Sequence, residues 1–202
     1  MTRRFAVTFD YLCPFARNAH EHLLAGLAEG ADWEATFLPY SLAQGHVEEG
    51  DPDLWDGEAA TTAPGLLALQ VGLAVRDHLP ERFHDVHGAL FAARHDEGRD
   101  LKDGQVLRDV LDGLGIDSAE VFEVVDGGGP LKTLRSEHED AVARHHVWGV
   151  PTFIAGQRAV FVRFLDRPDG DGAVGRHRIE HALDLIEGEP MLHEFKQTDL
   201  PV

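Results

Sequence analysis

The sequence predicts a split α/β domain: a β-α-β unit at the start, a β-β-α unit at the end, and a block of helices between them. Three observations lead there. Apolar runs with strand character occur only before residue 40 and after residue 150 of the 202-residue chain. The stretch from about 62 to 146 carries only helical periodicity. The single cysteine, Cys13, falls where the first strand gives way to the first helix.

Taken in order, Phe5-Ala6-Val7-Thr8-Phe9 reads as a buried strand. Pro14 suits the first position of a helix, and an apolar helical pattern continues to Leu27. Trp33-Glu34-Ala35-Thr36-Phe37-Leu38 alternates as a second strand, closed by Pro39. Residues 45–57 are acidic and carry Pro and Gly, as a loop does. Leu66, Leu67, Leu69, Val71, Leu73 and Val75 form one helical run. Phe83, Val86, His87, Leu90 and Phe91 keep helical spacing in the next. Residues 106–114 end at Gly115, and Asp117 or Ser118 can cap a short helix through Val125. Gly127-Gly128-Gly129-Pro130 is a break before a charged helix over 131–147. It is no phosphate loop, because no strand precedes it and no Lys-Ser/Thr follows. Pro151-Thr152-Phe153-Ile154 and residues 159–164 flank a turn at Ala155-Gly156-Gln157, predicting a hairpin. A last helix spans 174–186.

Composition excludes several classes. Apolar residues make up 43 %, the level of a globular protein. No run of about 18 apolar residues is present to span a membrane. The basic start Met1-Thr2-Arg3-Arg4 precedes an apolar stretch too short for a secretion signal, so the expectation is a cytoplasmic protein. A net charge of −18 repels nucleic acid and anionic membranes. One cysteine permits no intrachain disulfide. Monomer and homodimer both stay open.

At a strand–helix junction, backbone N–H groups and the positive end of the helix dipole favour thiolate over thiol. Cys13 is therefore a candidate nucleophile near neutral pH. Taken alone, it reads as a buried structural cysteine. A second motif, Trp148-Gly149-Val150-Pro151-Thr152-Phe153, tips the balance. Together the element order, the cysteine and this motif resemble the thioredoxin fold with a helical insertion, the layout of DsbA-like oxidoreductases. The resemblance implies a discontinuous thioredoxin-like domain (1–45 and 148–202) and an inserted helical domain (46–147). It also implies a cis Val150–Pro151 bond facing Cys13, with Pro14, Phe15, Arg17, Val150 and Pro151 contacting a thiol ligand. Backbone groups of Val150 would pair with that ligand as an added strand does.

Within the family the chain resembles the mycothiol-dependent nitroreductase-like proteins of actinobacteria. Asp10-Tyr11-Leu12-Cys13-Pro14-Phe15, Gly149-Val150-Pro151-Thr152-Phe153, Ala159-Val160-Phe161 and Pro190-Met191-Leu192-His193-Glu194-Phe195-Lys196 carry that likeness. It implies mycothiol, or another low-molecular-weight thiol, as co-substrate. The family's second active-site cysteine is replaced by Ala16 here. The chain can attack a disulfide but cannot resolve it internally, so an external thiol must clear the adduct. Two other readings share the architecture. One is a kappa-type glutathione transferase or 2-hydroxychromene-2-carboxylate isomerase, although these commonly carry Ser where Cys13 stands. The other is a binding protein on a redox-dead scaffold.

Other residues have plainer expectations. The 13 histidines suggest no metal site by spacing, and read as solvated or helix-capping side chains. His20 lies about 10 Å along the helix from Cys13, too far for a direct hydrogen bond. Arg17, one turn on, can favour the thiolate or bind a carboxylate; equally it can be a surface residue. Phe15 is expected beside the thiol and Tyr11 is a candidate for the cleft. Asp10 reads as a solvated strand-end residue, and Trp148 as packed under the proline loop.

Overall fold

The computed structural model describes residues 2–194, 196 and 197. Phe195 and residues 198–202, part of the tail considered above, lie outside the described residues. The element order is β1 (Arg3–Phe9), α1 (Pro14–Ala28), β2 (Trp33–Pro39), α2 (Leu42–Gly45), α3 (Ala59–Thr62), α4 (Leu66–His78), α5 (Phe83–His95), α6 (Gly104–Gly113), α7 (Ser118–Asp126), α8 (Gly129–His145), β3 (Thr152–Ala155), β4 (Arg158–Phe161) and α9 (Gly172–Gly188). The sheet runs β2-β1-β3-β4. β1 and β2 are parallel from Arg3↔Trp33 to Phe9↔Pro39, as a β-α-β crossover requires. β3 is antiparallel to β1, with Val7 opposite Phe153, and forms the hairpin with β4.

Pro39 is tolerated inside β2 because β2 is an edge strand. β4 stops at Phe161, short of the predicted 164. Beyond it the chain turns to other partners: Val162 N–H donates to the Pro151 carbonyl at 3.1 Å, and Asn18 Nδ2 donates to the Phe164 carbonyl at 2.9 Å. α8 begins at Gly129, with Pro130 in its first turn and Gly128 at φ 74°.

α4 is apolar around most of its girth: Leu66, Ala68, Leu69, Val71, Leu73 and Val75 are fully buried. A helix of that kind belongs inside a core. Each such Leu or Val contributes roughly 1.5–3 kcal/mol on leaving water. The buried apolar residues of the sheet and of the helical block form one cluster, so a single core serves both. Two glycines permit close approach. Gly72 of α4 leaves room for the Tyr11 hydroxyl, and Gly175 of α9 lies against the His22 carbonyl, where a Cβ would come within 2.6 Å. No helix among the described residues is long and apolar enough to cross a membrane.

Candidate active site

Cys13 is the N-cap of α1, in extended conformation, with Pro14 in the first turn. Its Sγ accepts from Ala16 N–H at 3.4 Å, as a capping side chain does. The thiol donates to the Val150 carbonyl at 3.4 Å. The Val150–Pro151 bond is cis. The loop carrying it is tied to β1 through Thr8, whose Oγ1 accepts from Thr152 N–H at 2.8 Å, while Thr152 Oγ1 donates to the Gly149 carbonyl at 2.8 Å. Two segments about 137 residues apart in sequence therefore meet at one sulfur atom.

The structure brings together Cys13, Pro14, Phe15, Val150 and Pro151 and draws Arg17 elsewhere. Arg17 Nη1 pairs with Asp96 at 2.9 Å, and Nε and Nη2 both donate to Asn18 Oδ1. A carboxylate at the end of α5 outcompetes the site for that guanidinium. The cation at the site is Arg163. Its Cζ lies 5.2 Å from the Phe15 ring centroid and 5.6 Å from that of Phe161. Trp148 is 68 % exposed and leans on Phe161, with ring centroids 4.6 Å apart, rather than packing under the loop. Sequence reasoning passed over Arg163 and Phe161 as site residues. Only the meeting of α1 with the end of the hairpin places them by the thiol.

Electrostatics correct the expected thiolate. Burial pushes the Cys13 thiol up. The Ala16 and Phe15 N–H groups and Arg163 pull the other way, Asp10 adds to the rise, and burial wins. Cys13 thus rests as a thiol, in keeping with its donation to Val150. Alkylation by iodoacetamide should be slow at pH 7 and reach half its maximal rate only above the pH at which an ordinary thiol does. A plateau already reached at pH 7 would contradict this.

Asp10 is fully buried, not solvated. Its Oδ1 accepts from Leu12 N–H at 2.9 Å and its Oδ2 from Leu42 N–H at 2.8 Å. Burial raises its carboxyl to about 6 against those two bonds. An Asp accepting from the backbone two residues on is an Asx turn, a signal available in the sequence.

Four of the histidines read as solvated or helix-capping are buried instead: His20, His22, His87 and His138. Three rings form a directed chain. The Thr8 carbonyl can only accept, so His20 donates to it from Nε2 (3.3 Å) and accepts at Nδ1. His87 Nε2 must then donate to His20 (2.9 Å), and Tyr11 must donate its hydroxyl to His87 Nδ1 (2.9 Å). Tyr11 is thereby a core residue, not a cleft residue, and both imidazoles are neutral. His95 Nε2 donates to the Tyr11 carbonyl at 2.9 Å. On α9, His177 and His181 do stand at i, i+4, with ring centroids 4.2 Å apart, a spacing the sequence reading overlooked. Among the described residues no group of three or more metal-ligating side chains forms.

The family profile described as DSBA-like thioredoxin domain matches residues 6–169. The chain belongs to the DSBA-like thioredoxin domain family. Among solved structures, this DSBA-like protein resembles Pseudomonas aeruginosa DsbA at TM-score 0.58 and 24 % identity, over 93 % of this chain and 83 % of that one. It resembles the cytosolic disulfide reductase DsbM from Pseudomonas aeruginosa, solved with GSH, at TM-score 0.62 and 21 % identity, over 90 % and 100 % of the two chains. A thioredoxin-like oxidoreductase from Silicibacter pomeroyi DSS-3 matches at TM-score 0.59 and 14 % identity, over 92 % and 86 %. No curated protein matches the chain in sequence.

Proposed function

We propose that this DSBA-like protein is a thiol–disulfide oxidoreductase that works through one cysteine and a low-molecular-weight thiol. The observation that carries the reading is Cys13 at the cap of α1, its sulfur against the Val150 carbonyl of the proline loop. The Cys13 thiolate attacks the small-thiol sulfur of a mixed disulfide and expels the other thiol, which takes the proton Cys13 gave up. A second molecule of small thiol loses its proton and attacks the adduct. It leaves as the symmetrical disulfide, and Cys13 regains a proton. One mixed disulfide and one thiol become one thiol and one symmetrical disulfide.

The raised thiol supports the reducing direction. A strongly oxidising cysteine is one whose reduced thiolate is stabilised, and burial denies Cys13 that stabilisation. Mycothiol is the small thiol implied by the branch the sequence resembles, and glutathione is the other candidate, since DsbM, a cytosolic disulfide reductase, was solved with GSH. A cytoplasmic setting fits this chemistry, which needs a reducing thiol pool.

The test is intact mass after incubating reduced protein at pH 8.5 with mycothiol disulfide and, separately, glutathione disulfide. A single adduct on Cys13, released by added thiol, is expected, and the faster disulfide names the thiol. The burial of Cys13 also favours a second reading, a ligand-binding protein whose cysteine does not exchange. Folded protein that takes no adduct from either disulfide selects it.

A further inference from the structure

We infer that Arg163 is a specificity-determining residue: it receives a carboxylate on the half of the disulfide that becomes joined to Cys13. The inference rests on the single-cysteine reading above and names the chemical class of its substrate.

Arg163 is exposed, and no carboxylate partners it among the described residues. The chain holds 36 acidic residues against 18 basic ones, and Arg3, Arg17, Arg76, Arg99 and Arg167 are all paired with carboxylates. Among the described residues Arg94, Arg108 and Arg158 likewise form no carboxylate pair; what distinguishes Arg163 is its place over Phe15, next to the thiol it acts on.

Its position is built rather than loose. The residue before it is anchored to the proline loop by Val162 N–H on the Pro151 carbonyl. The residue after it is anchored to α1 by Asn18 on the Phe164 carbonyl. The guanidinium lies over Phe15, two residues past Cys13, and beside Phe161. Aromatic faces hold such a group while leaving its N–H donors free for a planar, doubly accepting oxyanion. A carboxylate is the group that matches this fork. The exposed ring of Trp148, tilted against half-buried Phe161, extends the aromatic surface that Phe161 begins. A thiol fragment with a carboxylate a few bonds from sulfur can place its sulfur at Cys13 and its charge on Arg163. The small thiol that joins Cys13 then carries a carboxylate, as glutathione does, and mycothiol, which has none, is the slower of the two.

The test uses two disulfides that differ only in charge, 3,3′-dithiodipropionate and its diamide, with adduct formation followed by intact mass. With an acidic chain, bulk electrostatics alone make the dianion the slower reagent. Arg163 should reverse that order and make the dianion faster by about fivefold or more at low salt. Arg163→Gln should return the ratio below one, and Arg163→Lys should keep part of the preference. The ratio is the readout, because Arg163 also acts on the Cys13 thiol and would change both rates together. A wild-type ratio at or below one, or a preference unchanged in Arg163→Gln, overturns the inference. Adduct with neither reagent overturns the single-cysteine reading and this inference with it.

Discussion

Cys13→Ser is expected to abolish adduct formation with every disulfide, a loss of at least about a thousandfold, since a hydroxyl is no nucleophile toward sulfur at these pH values. The fold should survive, because a serine hydroxyl can accept from Ala16 N–H and donate to the Val150 carbonyl as the thiol does. Circular dichroism and thermal melting check that point. Ala16→Cys should act in the other direction. It places a second thiol one turn along α1, and the adduct on Cys13 should then be short-lived and give way to an internal disulfide, read as loss of the two thiol hydrogens by mass. Ala16 is fully buried, so some stability loss from overpacking should accompany the change. An adduct of unaltered lifetime in a folded Ala16→Cys protein would refute the claim that missing resolution alone makes this site monothiol.

Mild acid should weaken the fold markedly as pH falls from about 6.5 toward 4. Burial holds His20 and His138 down at about 4, and holds His87 well below its ordinary value. In the unfolded chain these groups titrate near 6.5. The unfolded state therefore binds more protons than the folded one between those limits. Their stabilising contribution is complete above about 6.5 and is lost as pH falls toward 4. At 1.36 kcal/mol per unit, His20 and His138 each forfeit about 3 kcal/mol by pH 4. Asp10 has the opposite sign. Its folded value of about 6 exceeds the unfolded 3.8, so the folded state gains protons first and stability rises by about 3 kcal/mol over the same fall. One aspartate offsets one histidine, and two remain. A net loss of about 3 kcal/mol or more is a large share of a typical 5–15 kcal/mol stability. Urea denaturation at pH 7.5 and pH 4.5 should show the midpoint falling sharply. Equal midpoints would mean that the buried imidazoles do not titrate on unfolding as their positions require.

The fold was legible because its signals are local. Phe5, Val7 and Phe9 form a strand beside a helix with Pro14 in its first turn, and the runs from Leu66 to Phe91 repeat at helical spacing. Two of the site's elements were legible for a different reason: Cys13 and the Val150-Pro151 pair belong to motifs. Arg163 was not, because nothing near it in sequence marks it. Its partners Phe15 and Phe161 reach it only once α1 and the hairpin pack. The histidines were misjudged because imidazole is intermediate in burial preference, and only a full set of donors and acceptors makes it a core residue. His87 already sat on the apolar stripe of its helix with Phe83, Leu90 and Phe91, and that placement was the available clue.

The ring chain from Tyr11 through His87 to His20 has a consequence for how this chain can be cut and recombined. Its middle link belongs to α5, in the helical block, and its two ends belong to the turn before Cys13 and the helix after it. Removing the block would strip the Tyr11 hydroxyl and the His20 Nδ1 of their partner and uncover the apolar rings that α4 and α5 bury, and exchanging it for another protein's block would demand an imidazole at that same depth. The insertion is thus not a module that could be trimmed to a minimal catalytic half, and chimeras joined at its borders should inherit their solubility from whether position 87 can still accept one proton and donate another.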